Sequence, residues 1–142
     1  MLELMKCNIL VLILGVFFLA SCKNEVKREK EMLIDNIESL NQNMLKTTLM
    51  LTNIDLNDKI LRVPLLKEVE ESLSLSESTL LKIELDYDIH ELKNTGEVIA
   101  TCKKFIKIQR LLMLRYSSDD ADVKKKLTDE MNEIKAEISK QN

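Results

Sequence analysis

The chain has 142 residues, a formal net charge of −3, 32% charged and 4% aromatic residues, and only two glycines, one proline and one histidine. That length is one domain. The mild negative charge gives no global basic field of the kind nucleic-acid binding needs. The scarcity of Gly and Pro argues against sheets with many tight turns and against loop-built catalytic clefts, and for long helices with few joins.

The first element is apolar. Ile9–Ala20 reads ILVLILGVFFLA, twelve uncharged residues preceded by Lys6. A bilayer span takes about 20 residues, so this run suits the h-region of a secretory signal instead. Translation starts at Met1 or at Met5; the second start gives the cleaner basic leader because it drops Glu3. The run ends in Leu19-Ala20-Ser21-Cys22, small residues before a cysteine.

This junction resembles the lipobox of bacterial lipoproteins. The resemblance covers about residues 5–23 and implies cleavage after Ser21, removal of residues 1–21 as a signal peptide, and a diacylglyceryl group on the Cys22 thiol. The Ser-Cys-Lys junction and the Ile/Leu/Lys/Asn-rich style also resemble spirochaete (Borrelia-type) lipoproteins. Two or three acyl chains hold a protein stably on a membrane where one does not. Residues 22–31 are then the lipidated cysteine and a short charged tether, and residues 32–142 the folded domain. Asn24–Glu31 reaches at most about 27 Å.

Four segments of helical periodicity follow, so the expected class is all-α, an antiparallel up-down bundle of about four amphipathic helices. In the first, Val26, Leu33, Ile37, Leu40, Met44 and Leu51 share a face, with Lys30 and Thr47 in the gaps. Polar residues 53–57 break it, with Asn57 or Asp58 as the next cap. In the second, Pro64 should start or kink the helix. Beyond it Leu66, Val69, Leu73, Ser76, Leu80, Ile83, Tyr87 and His90 keep spacings of three and four. Residues 83–90 also alternate as a strand would. Leu81, Leu85, Ile89 and Leu92 offer a helical face as well, and with no strand partner elsewhere the segment is expected to be helix.

Asn94-Thr95-Gly96 is expected to be a turn, with Gly96 as a left-handed C-terminal cap. The third helix carries Val98, Cys102, Phe105, Gln109, Leu112 and Tyr116, flanked by Ile99, Ile106 and Met113. Ser117–Asp120 caps the fourth, whose stripe is Val123, Leu127, Met131, Ile134 and Ile138; Asp119, Asp120 and Asp122 in its first turn and Lys140 in its last suit the helix dipole.

Charge separates the middle helices. Residues 65–93 hold eight acids and three bases, and residues 97–116 five bases and one acid. Two readings compete. The helices complement each other along their rims, which is the ordinary fate of such runs, or Lys103, Lys107 and Arg110 form a docking face for an acidic partner or anionic headgroups.

No metal or cofactor is expected. Asp86 and His90, four apart, could begin a zinc site, but a third and fourth ligand have no source. Cys102, on the apolar stripe, packs as a small hydrophobe. There is no Gly-rich phosphate loop, nucleophile elbow or triad spacing. The expectation is a non-enzymatic envelope protein, anchored to a membrane (the outer membrane in this reading) through Cys22, which binds an unidentified protein partner and no nucleic acid. The rivals are a periplasm-facing accessory subunit of an envelope assembly and a self-associating coiled-coil structural protein.

Overall fold

A computed structural model describes residues 27–87 and 93–140. They form four helices: α1 (Lys27–Thr52), α2 (Lys59–Asp86), α3 (Lys93–Ser117) and α4 (Ala121–Ser139), with no strand among the described residues. The protein is an all-α bundle in which successive helices run antiparallel. Asn36 lies against Tyr87 and Thr47 against Ser72, which sets α1 against α2. Arg62 meets Asp119 and Glu84 meets Lys103, which sets α2 against α3. Lys104 meets Glu137 and Lys107 meets Glu130, which sets α3 against α4.

Each helix forms for reasons visible in its own residues. The α1 stripe Leu33, Ile37, Leu40, Met44 and Leu51 is buried, and the chain then turns as the Asn57 amide donates to Asp55 Oδ1 at 2.9 Å. Asp58 caps α2, its Oδ1 accepting from the amides of Ile60 (2.9 Å) and Leu61 (3.1 Å). Asp120 caps α4 in the same way, accepting from Asp122 (2.8 Å) and Val123 (3.0 Å). Each cap satisfies amides that the first helical turn leaves without partners and is worth about 1 kcal/mol.

The packing is unequal. α1, α2 and α3 touch one another, while α4 packs chiefly along α3. The core is one cluster: Val69, Leu73, Leu80 and Ile83 of α2 meet the α1 stripe, and Ile99, Cys102, Phe105, Ile106, Leu111, Leu112 and Met113 of α3 complete it. Met131, Ile134 and Ile138 bring α4 to it.

A polar layer crosses the middle of this core. Thr47 donates to Ser72 Oγ at 2.8 Å, and Gln109 Nε2 donates to the Met44 carbonyl (2.7 Å) and to Thr48 Oγ1 (2.9 Å). Hydrogen bonding offsets the cost of burying these donors, although Gln109 Oε1 has no partner among the described residues, and the bonds tie α1 to α2 and α1 to α3 at one level and oppose sliding.

Several sequence expectations are corrected. Pro64 does not start α2; the helix begins five residues earlier and continues through it. The Ile60 carbonyl, which loses its amide partner to the proline, belongs to a residue 85% exposed, so water can take that bond. Gly96 is not a C-terminal cap, because α3 already runs from Lys93 and Asn94-Thr95-Gly96 lie in its first turn. Amides there have no intrahelical acceptor, so turn-forming residues cost least at that point. Helix α2 ends instead at Tyr87, in extended conformation (φ −129°, ψ 138°). The strand-like alternation therefore stays helical to Asp86, and its remainder, with Ile89, His90 and Leu92, lies outside the described residues. Leu81 and Leu85 are helical as expected, and the face they make is exposed. Val123, at the start of the α4 stripe, is exposed too. α1 is helical from Lys27, within the stretch expected to be tether.

Candidate functional site: the charged faces of α3

The third helix is the one every other helix touches, and its bases are divided between two neighbours. Lys103 Nζ lies 3.0 Å from Glu84 of α2. Arg110 grips Glu77 of α2 with two nitrogens, Nε at 3.2 Å and Nη2 at 2.8 Å, and donates through Nη1 to Glu70 one helical span earlier. Lys107 turns the other way, to Glu130 of α4 at 2.9 Å, and Lys104 reaches Glu137 of α4 at 3.4 Å. Residues 103 and 110 lie seven apart and so share a face, while 107 lies about 40° and 104 about 100° round the helix from 103, on the side toward α4.

The three residues read from sequence as a docking row are thus adjacent on α3, and each is engaged by an acid of its own chain. The ion pairs between α2 and α3 join the acidic and basic segments along their rims. Lys103 remains 65% exposed in its side chain, whereas Arg110 is 25% exposed. Burial alone would lower the Arg110 pKa, but the hydrogen bonds and charges of Glu77 and Glu70 outweigh it and raise it above its ordinary value. A partner acid would have to displace Glu84, Glu130 or the Glu70–Glu77 pair. That competition is mild at Lys103, because an exposed pair is worth about 0–1 kcal/mol, and stiffer at bidentate Arg110.

A second charged cluster was not legible in the sequence. Arg62, near the start of α2, is almost fully buried, and its Nη2 lies 3.5 Å from Asp119 in the α3–α4 joint; Lys59 Nζ is 3.6 Å from the same carboxylate. Lys59 first and Arg62 second hold Asp119 below the usual carboxylate range. A carboxylate depressed in the folded state is lost as partner only when pH falls through its folded pKa, so this clamp stands at neutral pH. No sequence signal marks Arg62, since its long separation from Asp119 is closed only by the antiparallel pairing of α2 with α3.

Cys102 is buried on the α3 stripe, and burial pushes its thiol up to about 12 from 9.0. The thiolate is the reactive form, so native Cys102 should react with iodoacetamide at pH 8 about a thousandfold slower than a free thiol, from the pKa alone. Peptide mass spectrometry after native and denatured labelling checks this. Full native labelling of Cys102 would mean that α3 opens readily.

Among the described residues no group of three or more His, Cys, Asp and Glu side chains could hold a metal ion, and no helix is long and apolar enough to cross a membrane. Cys22, the expected lipid attachment, and His90 lie outside the described residues. Comparison with known proteins finds no matching family, no matching curated protein and no matching solved structure.

Proposed function

We propose that this protein is a lipid-anchored lipoprotein of the bacterial envelope, held in the outer membrane through acylated Cys22 and acting by protein–protein contact rather than by catalysis. The observation that carries the reading is Leu19-Ala20-Ser21-Cys22 at the end of a twelve-residue apolar run, the place and spacing of a lipobox. The surface of the bundle supports the second half. Leu45 and Leu49 of α1, Leu81 and Leu85 of α2 and Leu114 of α3 are exposed, and large apolar side chains held outside a formed core suit contact with other proteins.

Two measurements test it. Cys22→Ala should abolish incorporation of labelled palmitate and leave an unprocessed precursor that retains residues 1–21. Labelled palmitate entering the variant at the parent level would place the anchor elsewhere and sink the reading. Protease treatment of intact cells then reports the face: digestion means a surface-exposed, outward-acting protein, and protection means a periplasm-facing accessory subunit of an envelope assembly.

A further inference from the structure

The outer face of α2 carries a heptad-spaced seam that the bundle leaves uncovered. At about 100° per residue, Ile60, Val63, Lys67, Ser74, Ser78, Leu81 and Leu85 fall within about 60° of one another. All seven are exposed: Ile60 by 85%, Val63 by 64%, Leu81 by 55% and Leu85 by 76%. The seam is apolar at its two ends and polar in the middle. It sits opposite Val69, Leu73, Leu80 and Ile83, the stripe that α2 buries in its own core.

That pattern is self-complementary. When two copies of α2 are laid antiparallel about a two-fold axis level with Ser72 and Leu73, Ile60 of one chain comes level with Leu85 of the other, and Val63 within one residue, about 1.5 Å, of Leu81. An isologous contact requires this reciprocity, residue i meeting j while j meets i. The charge of Lys67 favours the same arrangement. Antiparallel pairing sets Lys67 level with Ser78 of the other chain, whereas parallel pairing would set Lys67 on Lys67, and like charges directly opposed are destabilising.

We infer that the exposed seam of α2 binds a second copy of this chain, antiparallel, with Ile60 and Val63 packed on Leu85 and Leu81. A 28-residue helix is about 42 Å long, and a strip roughly 10 Å wide along it covers about 400 Å² per chain. The total of about 800 Å² lies below the roughly 1,200 Å² of a stable interface, so the pair is transient and forms where copies are concentrated. The seam does not depend on the lipid anchor proposed above, and its failure would leave that reading standing.

Site-specific cross-linking tests the arrangement. The full chain is produced in one cell as two differently tagged copies, one carrying Val63→Cys and the other Leu81→Cys, and intact cells are treated with a short bismaleimide. The parent chain controls for its own cysteines. In the antiparallel pair Val63 meets Leu81, while the two Val63 positions stand about 28 Å apart. The mixed pair should therefore link about tenfold more than either variant with itself. Adding Ile60→Glu and Leu85→Glu to both copies, at exposed positions that leave the helical circular dichroism unchanged, should remove the product. Val63→Cys linking to itself as well as to Leu81→Cys, or a mixed pair no stronger than the parent chain, would overturn the inference.

Discussion

Phe105→Ala should lower the stability of the bundle by about 3–5 kcal/mol, read as a shift of the urea midpoint followed by circular dichroism at 222 nm. Phe105 is buried in α3, the helix that touches the other three, among Cys102, Ile106 and Leu112. Truncation loses the transfer free energy of the ring and leaves a cavity that surrounding helices, locked by the Thr47–Ser72 and Gln109–Met44 bonds, can close only in part. Domains of this size are stable by about 5–15 kcal/mol, so the loss is a large fraction of the whole. A loss below about 1 kcal/mol would mean that the ring is not enclosed as described, since such a value belongs to surface substitutions.

Reversing Lys103, Lys107 and Arg110 to glutamate together should cost about 2–4 kcal/mol, because each reversal removes an attraction and sets a new acid against an old one. Arg110 carries most of it, being half-buried and bound in a fork to Glu77 with Glu70 alongside. Lys103 and Lys107 contribute less, since their pairs with Glu84 and Glu130 are solvated. Salt should partly rescue the variant by screening the repulsion. Compensating changes at Glu84, Glu130 and Glu77 to lysine should restore most of the stability with the pairs inverted. The restored protein isolates the docking question. If it folds but no longer captures the partner recovered from native membranes, α3 presents the binding face. If capture is normal, these bases serve the bundle alone. Unchanged stability in the triple variant would show that the pairs contribute nothing.

Much of the fold was legible because a helix announces itself through local spacing. Leu33, Ile37, Leu40 and Met44 repeat at intervals of three and four, and those residues are buried. Asp58 and Asp120 stand where a side-chain acceptor is needed, and both cap helices. Gln109 lies on the α3 stripe in sequence, but nothing local says that its amide closes on α1. The opposite signs of the α2 and α3 segments suggested rim pairing; which base meets which acid, and that Lys107 turns to α4, did not follow from composition.

The sequence by itself determined that this chain makes amphipathic helices with short joins, since spacing, capping and the scarcity of Gly and Pro act within a few residues. Only the tertiary structure decided which apolar faces are covered. Leu81 and Leu85 keep a helical spacing as good as that of Leu80 and Ile83, yet one pair is exposed and the other is core. The periodicity of a helix is local, but burial depends on where a neighbouring helix lies, and among the described residues α2 has α1 and α3 on its inner side and no helix on its outer one. The same reason hid Arg62 and divided the α3 bases: a contact between residues 19 to 57 positions apart exists only once the helices have chosen their neighbours and their register.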